Sequence, residues 1–294
     1  MKCSYPFTVK QNDIHGNNIY QDVACKKCYS CRKSISQEWF IRLRNELHYH
    51  EHNSFVTLTY SDEHLPSDFS ISKKDLQLFF KRLRKRRKSK LKYFACGEYG
   101  SQSYRPHYHL ILFGVGLYSE DKLDIIESWP YADWSVPSIL KNSFGLVEDK
   151  SIKYVCNYVN KSLNDLEMKI IYQDNNMTPP FRIMSHGLGL LYMEDNKTKL
   201  IDEQVYRHQG KEYNLPYYYR NKLNIGIKTS PKFQDKVIDY RAKQIKEITG
   251  IDAEGEALEY LELDSFVRVR KHQRSDQRER SLKAKQSLFN KDKF

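Results

Sequence analysis

In the run His107-Tyr108-His109-Leu110-Ile111-Leu112-Phe113, two imidazoles sit two residues apart within an apolar, strand-forming segment. Side chains alternate faces along an extended strand, so His107 and His109 point one way while Tyr108, Leu110 and Leu112 point the other. Two imidazoles on one pleat can share a metal ion. Further along, Tyr154 and Tyr158 lie one turn apart on one face of a predicted helix, and Lys161 follows three residues later on that face. A metal-holding strand followed by a helix bearing two phenols points to a divalent ion that orients a phosphodiester while a tyrosine oxygen attacks phosphorus.

Two neutral imidazoles alone would hold such an ion loosely, and a carboxylate usually completes a site of this kind. Glu98 precedes His107 by nine residues. If the two segments form a hairpin, its side chain reaches the same end of the sheet, which makes it the expected third ligand. Because the imidazoles must be neutral to bind metal, activity is expected to fall below the histidine reference pKa of about 6.5. On the tyrosine helix, Ile152, Val155, Val159 and Leu163 fall within one narrow arc and form its core face. Tyr154, Tyr158 and Lys161 occupy a different arc, so the interior does not require them. A phenol has a reference pKa of about 10 and is a poor nucleophile at neutral pH. Lys161 can lower it electrostatically or bind a neighbouring phosphate. Two tyrosines would permit a second cleavage while the first still holds the strand.

The positioning elements are legible to a degree. A helix is expected from about Ser34, with Trp39, Leu43 and Leu47 at helical spacing, and Phe55–Tyr60 is a strand by its β-branched and aromatic content. Ser72-x-x-Asp75 opens a second helix as a capping box, followed by a stripe of Leu76, Phe79, Phe80 and Leu83. Lys92–Ala95 and His107–Phe113 read as two strands separated by the turn-rich Gly97-Glu98-Tyr99-Gly100 and Arg105-Pro106. Another helix is expected over 119–128, a short strand over Phe144–Val147 and the tyrosine helix over Ser151–Leu163. The sum is an α+β fold with a central antiparallel sheet and flanking helices. Residues 1–50 are expected to form a Cys-rich knuckle and helix, 51–165 the core, 166–264 an extension of it, and 265–294 a basic tail, mobile or marginally helical. That tail carries ten Lys/Arg against three Asp/Glu.

The formal charge of +12 and the 13% aromatic content, with 22 Tyr, favour a polyanion whose unpaired bases can stack on exposed rings. Lys/Arg fill nine of the twelve positions from Lys81 to Lys92, a density that repels itself without counter-charge. Arg82, Arg84, Lys85, Arg86 and Arg87 are therefore expected to bind phosphate without reading sequence, and Arg105 is placed to touch the scissile phosphate or to serve the fold. No run approaches the roughly 20 apolar residues of a membrane span, and the first 30 residues lack a secretory signal's apolar core; a cytoplasmic protein with no membrane partner is expected. Cys25, Cys28 and Cys31 follow a C-x2-C-x2-C spacing suited to thiolate ligands in a reducing compartment. Cys3 is the leading fourth ligand for a structural Zn2+, His15 an alternative, and reduced cysteines that merely pack are the competing reading.

Glu98, Arg105-Pro106-His107-Tyr108-His109 and Tyr154-Val155-Cys156-Asn157-Tyr158-Val159-Asn160-Lys161, in that order, make the chain resemble the HUH endonucleases. It looks most like the rolling-circle replication initiators of microviruses, small single-stranded DNA phages, particularly their gokushovirus branch. The Cys25–Cys31 knuckle with Arg32, the segment Ser61-Asp62-Glu63-His64-Leu65-Pro66 and the segment Leu215-Pro216-Tyr217-Tyr218-Tyr219 extend the likeness over residues 1 to about 225. The resemblance implies a ferredoxin-like or palm-like sheet and a Mg2+- or Mn2+-dependent nick at a replication origin in single-stranded or supercoiled circular DNA. It further implies His107 and His109 as metal ligands, Tyr154 and Tyr158 as alternating nucleophiles, and a covalent 5′-phosphotyrosine. The free 3′ hydroxyl would prime a host polymerase in the bacterial cytoplasm, and since the chain has no P-loop, a host helicase would unwind the DNA. Plasmid relaxases and single-strand transposases use the same chemistry, and origin specificity separates them. A non-catalytic single-strand binding module with a zinc knuckle is the alternative from another class.

Overall fold

Strand β5 (Pro106–Phe113) lies at the middle of a five-stranded sheet, as its nearly continuous apolar sequence requires. The computed structural model describes residues 3–12, 18–87, 90–100, 103–161 and 172–225, with scattered residues between 239 and 284. The side chains of residues 8, 11–12, 18–22 and 158–161 lie outside that description, as does most of the segment from Ser265. The chain divides into two units, residues 35–219 and residues 1–34 with 220–294.

In the larger unit, β3 (Asn53–Thr59), β4 (Lys92–Tyr99), β6 (Phe144–Gly145) and β7 (Phe181–Met184) join β5 in the order β6-β3-β5-β4-β7, with every neighbouring pair antiparallel. Alternation along β5 separates two faces. One carries Tyr108, Leu110 and Leu112, which pack with Val56, Leu58 and Ala95 against α2 (Lys73–Arg86) and α3 (Ser119–Ser128) through Leu76, Phe79, Phe80, Leu83 and Ile125. Trp129 is fully buried in this core, and its indole N–H donates to the Thr59 carbonyl at 2.7 Å. The opposite face carries the histidines. It is covered by α1 (Tyr29–Glu46), whose Trp39 lies 5.1 Å from Phe94, and by α5 (Asp149–Lys161), which packs across β4 and β5. The short helix α4 (Pro137–Asn142) leads into β6.

Local rules explain most of these elements. Ser72 caps α2, its hydroxyl accepting the Asp75 N–H at 3.1 Å, while all four residues of the expected apolar stripe are buried. The 119–128 helix falls where its periodicity places it. Two features depart from the sequence-based expectation. Gly97, Glu98 and Tyr99 do not form a turn but continue β4, so Glu98 stands directly opposite His107 in the ladder. A Cβ at position 97 would lie 3.1 Å from the Tyr108 ring and 3.2 Å from that of Phe181, so glycine here marks a close ring approach rather than a turn.

The second departure is in the smaller unit, where the expected loop-rich segment contains an antiparallel hairpin, β1 (Phe7–Asn12) with β2 (Asn18–Val23). That unit also holds the Cys25–Cys31 segment and a small cluster around Ile245 and Ala253. A further hairpin, β8 (Val205–His208) with β9 (Lys211–Asn214), follows in the larger unit. Among the described residues, no helix is long and apolar enough to cross a membrane.

Candidate active site

The register of three strands sets the first part of the site. His107 pairs with Glu98 on β4 and Thr59 on β3; His109 pairs with Cys96 and Thr57. Directly opposed residues share a face, so Glu98, His107, His109 and Thr57 all rise from one surface of the sheet. Glu98 Oε1 lies 3.0 Å from His107 Nε2 and 2.8 Å from His109 Nε2. Glu98 and His109 are buried, at 4% and 7% exposure, so neither is a casual surface group.

Hydrogen bonds to the far ring nitrogens orient both imidazoles. His107 Nδ1 lies 3.1 Å from the Arg105 carbonyl, an acceptor only, so this nitrogen carries a proton and donates it. His107 Nε2 is then a lone pair facing a carboxylate oxygen, an arrangement that is favourable only with a proton or a cation between them. His109 Nδ1 is 3.0 Å from the Thr57 hydroxyl, which leaves its Nε2 for the same point. The donor set of two imidazoles and one carboxylate, with ligand atoms all within 4.8 Å of one another, fits a divalent ion.

Electrostatics favour the metal-binding protonation states. Burial lowers the His109 pKa despite the pull of Glu98, so its imidazole stays neutral to a lower pH than usual. Burial works against ionisation of Glu98, but hydrogen bonds from His107 and His109 outweigh it and hold its pKa below the usual carboxylate value.

The tyrosine helix delivers the second part. α5 buries Ile152, Val155 and Cys156, and the Ser36 hydroxyl of α1 donates to the Cys156 carbonyl at 2.8 Å, tying the two helices together. Tyr154, on another arc, is 41% exposed and its hydroxyl lies 3.3 Å from His109 Nε2. The ring is held edge-on to His109 at 5.0 Å between centroids and edge-on to Phe55 at 6.3 Å, while Phe55 stacks on His109 at 5.6 Å. Tyr158 and Lys161 fall within α5 by backbone, one and two turns on, but their side chains lie outside the described residues. Val159, expected on the core arc, is likewise undescribed in its side chain, and Leu163 lies outside the described residues.

The expected phosphate-binding residues have partners within the protein. Arg87 pairs with Asp121 and lies 3.5 Å from Asp124, and Arg86 pairs with Glu127. Arg82 donates to the Ser128 carbonyl and the Tyr131 hydroxyl, both at 3.3 Å. Arg84 lies over the rings of Phe80 and Tyr93. The counter-charge for the basic run therefore comes in part from α3, and Lys81 and Lys85 remain exposed. Arg105 pairs with Asp62 at 2.6 Å and donates to the Tyr60 carbonyl at 3.0 Å. Cys3, Cys25, Cys28 and Cys31 converge in the smaller unit.

Sequence reasoning misses Thr57 and Phe55, which orient and wall the site. Their signal is available only through pairing: both lie on the β3 face that the β5 register aligns with the histidines. It also gives Tyr108 no role. On the far face its hydroxyl donates to the Ser72 carbonyl at 3.1 Å, accepts the Ser72 N–H at 2.6 Å and meets the Tyr60 hydroxyl at 2.9 Å. The residue between the two histidines thus pins β5 to the start of α2.

Comparison with known proteins places this geometry in a family. Residues 53–163, which run from β3 to just past α5, match the family model of the replication-associated protein ORF2. The chain is 31% identical over 239 residues to the replication-associated protein ORF2 of Spiroplasma virus 4, an alignment covering 73% of this chain and 72% of that protein. It is 30% identical over 215 residues to the replication-associated protein VP4 of Bdellovibrio phage phiMH2K, covering 67% and 66% of the two chains. The replication-associated protein ORF4 of Chlamydia phage 1 is 25% identical over 259 residues, with 81% of this chain and 62% of that protein covered. No solved structure gives a significant match. With the family model falling on the sheet and helix that build the site, and relatives aligned over most of its length, the chain belongs to the replication-associated protein family.

Proposed function

We propose that this protein is a site-specific, metal-dependent endonuclease and strand transferase that nicks single-stranded or supercoiled circular DNA at a replication origin to initiate rolling-circle replication. The observation that carries this reading is the position of the Tyr154 hydroxyl, 3.3 Å from His109 Nε2, at the edge of the His107–His109–Glu98 cluster. The relatives' designation as replication-associated proteins of viruses and phages agrees with it.

Tyr154 is half exposed and held by Phe55 and His109, so its oxygen is both accessible to a strand and restricted in direction. Attack forms a bond from the tyrosine oxygen to phosphorus and breaks the bond to the 3′ oxygen, which leaves with the electron pair and takes a proton to become a free 3′ hydroxyl. The phosphate of the 5′ end stays on the tyrosine, and the bond energy is kept for rejoining. His107, His109 and Glu98 would hold Mg2+ or Mn2+, which when bound polarises the non-bridging oxygens and stabilises charge at the leaving oxygen. Tyr158, one turn along α5, is assigned the second cleavage, and Lys161 charge stabilisation of a phenolate or phosphate. The 3′ hydroxyl would prime a host polymerase, with a host helicase unwinding the strand, in the cytoplasm of the bacterial host.

Labelled single-stranded oligonucleotides tiling the source replicon, incubated with the protein and Mn2+, test the reading. Cleavage at one position, abolished by EDTA and by Glu98→Gln with His109→Ala, is expected. Binding across the complete set without cleavage would instead make this a single-strand binding module.

A further inference from the structure

Away from the His–Glu cluster, four thiols converge with no role in strand cleavage. The Sγ atoms of Cys3, Cys25, Cys28 and Cys31 all lie within 4.8 Å of one another, and Cys3–Cys28 and Cys25–Cys31 are each 3.9 Å apart. A tetrahedral zinc with bonds of about 2.3 Å requires sulfurs about 3.8 Å apart, whereas a disulfide requires about 2.0 Å. These two separations share no atom, so they correspond to opposite edges of a tetrahedron.

The backbone is arranged around the sulfurs. The Cys25 N–H donates to Cys3 Sγ at 3.2 Å and the Ser4 N–H to Cys28 Sγ at 3.4 Å. Lys27 and Cys28 N–H groups converge on Cys25 Sγ at 3.4 and 3.3 Å, and the Cys31 N–H reaches Cys28 Sγ at 3.5 Å. Lys26 adopts a left-handed conformation, φ 59°, that lysine rarely takes, and so turns the two amides that follow toward Cys25. Amides aimed at sulfur offset thiolate charge, as they do for metal-bound cysteines.

Packing alone gives no reason for this geometry. Cys25, Cys28 and Cys31 are buried, yet among the described residues this cluster consists of the four cysteines alone. Four small side chains remove little apolar surface from water, too little to order a 25-residue excursion from Cys3 to Cys28. We propose that Cys3, Cys25, Cys28 and Cys31 bind one structural zinc ion as a closed tetrathiolate, fastening the N-terminal segment to the first turn of α1. With four protein ligands there is no open position for substrate, and soft sulfur donors select zinc over the hard ions suited to Glu98, His107 and His109. The chain therefore carries two metal sites of different chemistry.

The test is metal content of the full-length protein, purified under reducing conditions without a metal-affinity step. One zinc per chain is expected. Cobalt substitution should give the intense visible absorption of tetrahedral thiolate coordination. Because Cys28→Ser removes a ligand and can unfold the chain, His107→Ala with His109→Ala provides the second measurement: it should keep the full zinc complement, whatever it does to strand cleavage. Zinc well below one per chain, iron in its place, two disulfides in the native protein, or zinc lost with the histidine substitutions would each overturn the assignment. None of these readouts depends on nicking, so the zinc site and the proposed function fail separately.

Discussion

At the scale of single residues, the site depends on side chains that fix others. Thr57 leaves His109 Nε2 facing Glu98 by holding Nδ1, so Thr57→Val should weaken Mn2+ binding about 10- to 100-fold while the fold persists, as measured by calorimetric titration. Unchanged affinity would remove Thr57 from the site. His109 supplies a pH prediction with a definite sign. Its folded pKa is depressed by burial, and the unfolded chain takes up that proton near the reference value of about 6.5. Between those two values the unfolded state holds more protons, so stability should fall as pH drops below about 6.5 and level off once folded His109 is protonated. Mn2+ binding should extend below pH 6.5 for the same reason; urea midpoints and Mn2+ titrations across that range check both. Glu98, His107, His109 and Tyr154 are legible in the sequence as residue types at telling spacings. The hydrogen bonds that orient them are not, because they follow from strand register rather than from sequence separation.

At the scale of elements, strong periodicity reads correctly and exceptions read poorly. The stripe on α2 and the alternation on β5 each reflect one buried face, which sequence displays directly. Gly97 and Glu98 read as a turn because glycine and a buried acid are both disfavoured in strands. Here the Tyr108 ring requires the glycine, and two imidazoles compensate the carboxylate. The β1–β2 hairpin escapes a sequence reading because its strands are largely polar, and the Asn and Gly residues between them dominate the pattern. Tyr108 joins elements across the far face, and Tyr108→Phe should cost about 1–3 kcal/mol in denaturant unfolding by leaving buried groups of Ser72 and Tyr60 short of a partner. Since the ring faces away from the histidines, Mn2+ affinity should change far less than stability. A variant that loses metal without losing stability would place Tyr108 in the site itself.

At the scale of the molecule, a net charge of +12 says that a polyanion is favoured but not where it binds. The basic run illustrates the difference between a charge in sequence and a charge available on the surface. Arg87 is half-buried against Asp121 and Asp124, so Arg87→Ala should lower stability by about 2–3 kcal/mol through the carboxylates left behind. Lys85 is exposed, and Lys85→Ala should leave stability unchanged and reduce the salt dependence of DNA binding by about one phosphate contact. Fluorescence anisotropy at several salt concentrations, beside urea unfolding, separates the two. Equal effects of both variants on DNA affinity, with no stability change in Arg87→Ala, would restore the run as a uniform phosphate track. The pairing with α3 is invisible in sequence because its acids lie more than thirty residues away.

Everything proposed for the site converges on a tyrosine of α5, beside the His–Glu cluster, that becomes covalently joined to DNA. The most direct measurement is peptide mapping by mass spectrometry after reaction with a cleavable single-stranded origin oligonucleotide and Mn2+, in the native protein and in Tyr154→Phe, Tyr158→Phe and the double variant. A phosphonucleotide on Tyr154 or Tyr158, absent in the double variant, is the predicted result. Cleavage that persists in the double variant, or an adduct on a residue outside α5, would contradict it.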